Sequence, residues 1–354
     1  MKRSIVIPLI MFAFILSIFY ISPPQPPSDS YYTLLVSETL LTKGRLWLDD
    51  CFKQPLNPGR YPGINETGYP YQVEIKRGHI YNSYPLGNAF LCVPIAAVAK
   101  MMGYSFHFKN GVYHAANEER VQQIAASFLM AFLCLVWYRT ANRFLPDSWS
   151  VGIAIVMTLG TSVWSTLSRA LWMDTWGILI QSLVIDRFVA VRISGARFRP
   201  LLVATLCSWS FMIKPTYCIF IVVISIYILM VHRVHFLSFA STGVFWLGVF
   251  IGSSLWNNGQ ILPSENTNAT FLFRWQNIPE GFAGILISPA RGLFVYSPML
   301  LVAGYLLIKY WKKLPLHDLT KTALLFSALH VFLVSSYALW WAGFSYGPRY
   351  MAPL

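Results

Sequence analysis

Residues 200–231 read PLLVATLCSWSFMIKPTYCIFIVVISIYILMV, a nearly unbroken apolar stretch. A single membrane-spanning helix needs about 20 residues at 1.5 Å per residue, so this stretch is too long for one span. Its one charged residue, Lys214, is followed by Pro215, and proline ends or kinks a helix. We therefore predict two short spans, 200–213 and 216–231, joined by a tight turn at Lys214-Pro215-Thr216.

The whole chain has the composition of a membrane protein. Of its 354 residues, 56% are hydrophobic and 12% are charged, which is about half the charged fraction of an ordinary soluble domain. Further apolar segments of roughly span length lie at 4–22, 121–138, 148–167, 175–191, 236–256, 296–310 and 322–339. The sequence therefore predicts an all-α polytopic membrane protein with about nine transmembrane helices.

The orientation follows from the basic residues. Lys and Arg number 27 against 14 acidic residues, and cytoplasmic loops carry the excess of such residues in membrane proteins. If residues 86–103 lie at the interface, the basic clusters fall on one side together with the N-terminus: Arg139/Arg143, Arg192/Arg197/Arg199, Arg233 and Lys309/Lys312/Lys313/Lys321. We interpret the excess as this bias plus attraction to anionic lipid, not as nucleic-acid binding, because no RNA-binding motif accompanies it.

This layout predicts one transmembrane domain over residues 1–354, in a cell (inner or plasma) membrane, with the N-terminus in the cytoplasm. Residues 23–120 form a large first extracytoplasmic loop with juxtamembrane helices, and residues 257–295 form a second. Eleven of the 14 acidic residues fall outside, and only Asp147, Asp186 and Asp318 lie inside. GxGxxG, P-loop, HExxH and GxSxG motifs are absent from the sequence, so these nucleotide, metalloprotease and hydrolase signatures are excluded.

Charged residues and aromatic rings collect at the predicted outer ends of the spans. Asp29 follows the first span, and the other charged residues are Arg169, Asp174, Lys214, Arg291 and Arg349. Any one of these charged residues is explained by a side chain that reaches the lipid headgroups. The interfacial aromatic belt explains the tryptophans, Trp172, Trp176, Trp340 and Trp341. Together they suit a ligand with a phosphate at headgroup level and a sugar beside aromatic rings.

Four segments, in order, carry a resemblance to a known family. They are SDSYYTLLVSETLLTKGRLWLDD (28–50), RGHIYNSYPLGNAFLCVP (77–94), SPARGLFVYSP (288–298) and WWAGFSYGPRYMAPL (340–354). In these segments the chain resembles a bacterial branch of the C-class (GT-C) glycosyltransferases, which are relatives of the polyprenyl-phosphate-mannose protein mannosyltransferases. The resemblance implies inverting transfer of a sugar from a polyprenyl-phosphate donor to a hydroxyl acceptor on the extracytoplasmic face.

The resemblance also implies roles for residues. Asp29 matches the catalytic base of that family, and Lys214, Arg291 and Arg349 match contacts to the donor phosphate or to lipid headgroups. Arg169, Asp174 and Tyr346, in the segments around them, are the other candidate substrate-binding residues.

The expected partners are membrane lipid, the polyprenyl-phosphate-linked sugar and a hydroxyl acceptor of unknown identity, and no nucleic acid. No nucleotide site is expected, because the polyprenyl phosphate already activates the sugar, and no cofactor is assigned. The sequence has no metal-ligand motif, and a divalent metal requirement stays open.

Two other functions remain open on the sequence. A transporter or flippase of lipid-linked sugars would share the basic and aromatic outer face, but it usually has ionisable residues near the membrane midplane. An inactive scaffold subunit is the second, because the family continues past YGPRY into further spans whereas this chain ends at Leu354. The resemblance therefore leaves two alternatives open, a C-terminally truncated fragment or a shortened enzyme.

Overall fold

A computed structural model describes residues 5–24, 29–52, 68–107, 112–259, 261, 273–343 and 347–353. These residues are mostly helical, as predicted. The α-helices are α1 (Val6–Ile21), α2 (Thr33–Lys43), α3 (Leu86–Met101), α4 (Ala115–Ala141), α5 (Asp147–Leu159), α6 (Met173–Ser194), α7 (Pro200–Ile213), α8 (Cys218–Val231), α9 (Phe236–Asn258), α10 (Ile278–Ile287), α11 (Leu293–Tyr296), α12 (Met299–Lys309) and α13 (His317–Ser335). Short 3₁₀ turns lie at Asp49–Cys51, Pro215–Tyr217, Arg233–His235, Trp275–Asn277, Trp311–Lys313 and Arg349–Met351, and a π-helical turn lies at Val163–Leu167.

The prediction of an all-α chain misses one β-hairpin in the first loop. Strands β1 (Val73–Lys76) and β2 (His79–Asn82) pair antiparallel, with Val73 opposite Asn82 and Lys76 opposite His79. Arg77 and Gly78 form the turn with φ of 50° and 78°. Two central residues of positive φ match the right-handed twist of the strands, which is why such two-residue turns close hairpins.

Among the described residues, three helices are long and apolar enough to cross a membrane: Ala115–Ala141, Arg233–Asn257 (α9 with its preceding turn) and His317–Ser335. Helix α6 has 22 residues but carries Asp174, Asp186, Arg187 and Arg192. Shorter apolar helices cover most of the other predicted spans. At 1.5 Å per residue, the 16 residues of α1 reach about 24 Å, less than the ~30 Å hydrocarbon core. The nine-span layout and its loops therefore stay a prediction.

The break predicted inside residues 200–231 is present. Helix α7 ends at Ile213, and Lys214 has extended backbone angles (φ −150°, ψ 114°) before the 3₁₀ turn that leads into α8. A residue that precedes proline is pushed out of the helical region by the proline ring, so the sequence Lys214-Pro215 accounts for the break. Lys214 is thereby placed at a bend between two helices.

The helices pack around several apolar clusters. One joins α1, α4, α5 and the start of α6, and a second joins α2, the hairpin, α3 and the start of α4. A third joins α6, α7, α8 and α13, and a fourth joins α10, α13 and the residues Ala342, Tyr350 and Met351. Because α6 packs against both α4 and α7, its N-terminal end at Asp174 lies where the first, second and third groups of helices meet.

Ion pairs at the other end of α6 join groups that the sequence places on the cytoplasmic side. The carboxylate of Asp186 pairs with Arg139, and Arg143 Nη2 lies 3.0 Å from Asp186 Oδ1. Arg192 Nη2 lies 3.3 Å from Asp318 Oδ2. These contacts are consistent with the charge-based assignment of one common side to the ends of α4, α6 and the start of α13.

Candidate functional site

Asp29 and Arg349 form an ion pair. Arg349 Nη2 donates a hydrogen bond to Asp29 Oδ2, and only 5% of the Arg349 side chain and 19% of the Asp29 side chain are exposed. Asp29 lies between α1 and α2, whereas Arg349 begins the 3₁₀ turn near the end of the chain. The two ends of the chain thus meet through a nearly buried charge pair.

Left-handed backbone lies close to both partners. Tyr32, three residues after Asp29, has φ of 66° and is the N-cap of α2. On the other side, Ala342 (φ 62°), Gly343 (φ 64°) and Gly347 (φ 66°) precede Arg349. Non-glycine residues in this region cost roughly 1–3 kcal/mol and are held only by surrounding structure. The turns that carry Asp29 and Arg349 are therefore set by packing as well as by their own sequence.

A second buried pair joins Asp174 and Lys214. Lys214 Nζ lies 2.8 Å and 3.0 Å from the two carboxylate oxygens of Asp174. The Tyr217 hydroxyl donates to Asp174 Oδ1 at 2.9 Å. The bend after α7 supplies both donors, and the first turn of α6 supplies the acceptor, so the break in 200–231 positions this pair.

Aromatic rings connect the two ion pairs. The Arg349 guanidinium carbon lies 4.6 Å from the centre of the Trp172 ring and 5.3 Å from that of Tyr350. Lys214 Nζ lies 4.7 Å from the Tyr350 ring. A cation over an aromatic face is attracted by the ring quadrupole, most strongly when water is excluded. The four charged groups and two rings therefore form one cluster, with Tyr350 between the two cations.

Arg349 has unused hydrogen-bonding capacity. A guanidinium carries five N–H donors, and Nε and Nη1 of Arg349 are buried without an acceptor among the described residues. Burial opposes the positive charge, but the nearby carboxylates of Asp29 and Asp174 outweigh it and raise the pKa of Arg349 above its ordinary value. Because a buried unpaired donor is costly, a permanently charged guanidinium with spare donors suits an added anionic ligand.

The indole of Trp172 adds a further donor. Its Nε1 is buried and has no acceptor in the described part of the chain, although Arg349 stacks on the same ring. Indole nitrogen is a donor only and usually finds a partner when buried. The buried donors of Trp172 and Arg349 that have no acceptor among the described residues thus belong to two side chains in contact.

His330 fixes the backbone of Tyr350. The side chain is buried in α13, and its Nε2 lies 2.8 Å from the Tyr350 carbonyl oxygen. A carbonyl oxygen only accepts, so Nε2 carries the proton and donates. The ring that separates Lys214 and Arg349 is thereby tied to a long helix.

Arg291 acts on the segment that precedes Arg349. Its Nη2 donates to the Gly343 carbonyl at 2.7 Å, and its Nη1 donates to the Gly347 carbonyl at 3.2 Å. Burial lowers the pKa of Arg291 from its ordinary value. Its contact to a donor phosphate stays a prediction, while the hydrogen bonds present hold the two ends of residues 343–347.

Two candidate residues from the sequence remain, Arg169 and Tyr346. Arg169 donates from Nε to the Trp164 carbonyl at 3.2 Å and from Nη1 to the Pro23 carbonyl at 3.3 Å, which ties the end of α1 to the π-helical turn. Tyr346 lies outside the described residues. The structure thus brings together Asp29, Asp174, Lys214 and Arg349 of the predicted set, with Arg291 behind them.

Several residues in or behind the cluster had no assigned role in the sequence interpretation. Trp172 was explained by the aromatic belt, and Tyr217 and Tyr350 were given no role. Gln122, described below, has no sequence signal because a glutamine inside an apolar helix belongs to no motif. The sequence signal for these two rings is their position, because Trp172 lies two residues before Asp174 and Tyr350 follows Arg349.

The chemistry of the cluster is that of acid–base and anion-binding groups. Within the described residues, no group of three or more His, Cys, Asp or Glu side chains is arranged to hold a metal ion. What the cluster offers is a carboxylate at Asp29, two cations and aromatic faces. A carboxylate can accept a proton, and the cations with the Trp172 donor can stabilise developing negative charge.

No protein-family model, curated protein or solved structure matches this chain.

Proposed function

We propose that the chain is an integral-membrane glycosyltransferase that moves a sugar from a polyprenyl phosphate to a hydroxyl acceptor on the extracytoplasmic face. The observation that carries the proposal is the Asp29–Arg349 pair, in which a partly exposed carboxylate lies against a buried guanidinium with two donors that have no acceptor among the described residues. A base and an anion-binding group in contact are what phosphate displacement by a hydroxyl requires. The resemblance of the four segments to GT-C enzymes supports the same reaction.

In the proposed reaction the acceptor hydroxyl oxygen attacks the anomeric carbon of the sugar. The bond between that carbon and the phosphate oxygen breaks on the opposite face, so the configuration inverts. Asp29 accepts the hydroxyl proton, and the electron pair of the broken bond leaves with the polyprenyl phosphate. A general base of this kind contributes about 10²–10⁴-fold to rate.

Arg349 is the phosphate-binding residue in this proposal. Its spare Nε and Nη1 donors are buried, and hydrogen bonds to a charged phosphate are about twice as strong as neutral ones. Lys214 is already bound to both oxygens of Asp174. We therefore assign Lys214 first to the alignment of Tyr350, and second to the electrostatic field at the phosphate.

The test is consumption of polyprenyl-phosphate sugars by the purified protein in detergent or vesicles, with several sugars offered one at a time. Released polyprenyl phosphate and the anomeric configuration of the product are measured. We expect turnover with at least one donor, and a fall of about 10²–10⁴-fold for Asp29→Asn. Asp147→Asn, which removes the same charge from an exposed residue on the predicted opposite face, is the matched control.

Two results would contradict the proposal. One is unchanged transfer by a folded Asp29→Asn protein. The other is movement of labelled lipid-linked sugar across vesicles with no release of polyprenyl phosphate, which is the behaviour of a flippase.

A further inference from the structure

Gln122 is a fully buried side chain of α4 with 0% exposure. Its Nε2 donates to the Ser30 carbonyl at 2.8 Å and to Glu118 Oε1 at 3.1 Å. Its Oε1 accepts from the Ser30 hydroxyl at 2.8 Å and from the Leu171 backbone N–H at 3.1 Å. A carboxamide has two donor and two acceptor positions, so every one of them is used.

These bonds reach both sides of the Asp29–Arg349 pair. Ser30 is bonded to Asp29 along the chain and is held by Gln122 through both its carbonyl and its hydroxyl. Leu171 precedes Trp172, the ring on which Arg349 lies. One amide on a long helix therefore sets the turn that carries the carboxylate and the segment that supports the guanidinium.

Glu118, one helical turn earlier on α4, fixes which way this amide points. Its Oε1 accepts from Gln122 Nε2 and also from the Leu34 backbone N–H at 2.8 Å, in the first turn of α2. Because this oxygen already accepts from the Leu34 N–H, it acts as an acceptor here and selects the –NH₂ end of Gln122. The oxygen end must then face Leu171 N–H and the Ser30 hydroxyl.

We infer that Gln122 is a positioning residue, which holds the Asp29 carboxylate in register with Arg349 and Trp172 through Ser30 and Leu171. The expected effect of Gln122 on the reaction rate rests on the proposed function. A misplacement of about 1 Å caused by a distant change can lower the rate about 10²-fold. Gln122 therefore affects the rate while it touches neither the donor nor the acceptor.

The first measurement is steady-state kinetics of Gln122→Glu. This change keeps the shape of the side chain but replaces the two N–H donors by an oxygen facing the Ser30 carbonyl and Glu118. We expect kcat to fall by roughly 10–100-fold with the KM for the donor unchanged within error.

Gln123→Glu is the matched control for this variant. Gln123 is the next residue of α4 and is 3% exposed, and its Nε2 donates to the Ser22 carbonyl at 2.8 Å, at the end of α1. We expect it to keep kcat near that of the unchanged protein. Equal losses of kcat in the two variants, or a loss confined to KM in Gln122→Glu, would overturn the inference.

The second measurement needs no activity. Melting temperatures are compared for Gln122→Glu, Asp29→Asn and the two together. If Gln122 holds Asp29 against Arg349, the double variant melts close to Gln122→Glu, because the pair is already disturbed. Additive shifts would overturn the inference, since independent sites add, and Gln123→Glu with Asp29→Asn should show that additivity.

The two measurements distinguish a failure of the proposed function from a failure of the positioning role of Gln122. If the unchanged protein consumes no donor, the proposed function fails, and the melting comparison still decides whether Gln122 positions Asp29. If Gln122→Glu does not fold, Gln122→Met replaces it in both measurements, because methionine fills the space without adding a charge.

Discussion

Arg349 donates a hydrogen bond to Asp29 across 320 residues of chain. The bond closes the cluster between the first turn after α1 and the 3₁₀ turn near the end of the chain. Arg349 also lies on Trp172, which precedes α6, and close to the Tyr350 ring that Lys214 approaches from the bend after α7. Four distant segments are thus joined by charges that are shielded from water. Their removal should be felt in stability as well as in activity.

The first prediction concerns Arg349. Arg349→Met should lower the free energy of unfolding by about 3–5 kcal/mol, because it leaves the Asp29 carboxylate without its buried partner. Arg349→Lys should recover only part of this, since lysine has a compact ammonium and no planar group to stack on Trp172. The measurement is denaturant or thermal unfolding in detergent.

A control shows whether the loss comes from an uncompensated charge. Asp29→Leu together with Arg349→Met removes both charges and should be more stable than Arg349→Met alone. An Arg349→Met protein as stable as the unchanged one would contradict the buried pair.

The second prediction concerns the hydroxyl of Tyr217. Tyr217→Phe removes the 2.9 Å hydrogen bond to Asp174 and should lower the free energy of unfolding by roughly 1.5–3 kcal/mol, as expected for a bond to a charged group. Tyr305→Phe is the control, because Tyr305 is exposed on α12. Equal effects of the two substitutions on the melting temperature would show that the Tyr217 bond contributes nothing.

The third prediction concerns Gly177, on the helix turn after Asp174. A Cβ at Gly177 would lie 2.1 Å from the Tyr217 hydroxyl oxygen, so alanine must push Tyr217 away from Asp174. Overpacking of this kind costs about 1–3 kcal/mol and should also lower donor consumption. At Gly248 of α9 a Cβ would meet no described atom within 4 Å.

Gly248→Ala is therefore the matched helix control. It should leave stability equal or raise it by roughly 0.5–1 kcal/mol, because alanine is a better helix former than glycine. Melting temperatures of the two variants, measured side by side, decide the case. A Gly177→Ala protein that gains stability like Gly248→Ala would mean that Tyr217 is not packed there.

The fourth prediction concerns Gly347, whose φ is 66° and whose carbonyl accepts from Arg291. Gly347→Ala should cost about 1–3 kcal/mol for left-handed backbone, and its Cβ would also lie 3.0 Å from Tyr296 Cδ1. Gly195→Ala is the control. Gly195 has φ of 63°, and no described atom lies within 4 Å of the added carbon, so this substitution has only the backbone cost. We expect both to lose stability and only Gly347→Ala to lose donor consumption, as measured on the folded fraction.

The local sequence is enough to predict the helices around the site. Long apolar runs predict helices without reference to their neighbours, because a helix satisfies its own backbone hydrogen bonds. Lys214-Pro215 stops α7 by steric effects between adjacent residues. The hairpin at Val73–Asn82 was missed although its turn at Arg77-Gly78 is also local. The long apolar runs of the flanking helices outweigh these two four-residue strands in the sequence pattern, although the hairpin has a turn signal of its own.

Chemistry-bearing residue types at the ends of helices could also be named from the sequence, since charged residues are rare in an apolar chain. Asp29, Asp174, Lys214 and Arg349 stand out for that reason. Their pairing does not follow from it. Asp29 pairs with Arg349, and Asp174 pairs with Lys214. The packing of α6 against α4 and α7 brings these ends together, while Ala342, Tyr350 and Met351 pack with residues of α13.

The support behind the site depends wholly on tertiary contacts. Gln122 is an ordinary glutamine in the sequence, and only the folded chain places Ser30 and Leu171 at its two ends. Hydrophobicity is a property of each residue, and backbone sterics act between near neighbours, so both can be read from the sequence. Buried hydrogen bonds and ion pairs join residues tens to hundreds of positions apart, and their geometry exists only once the helices have packed.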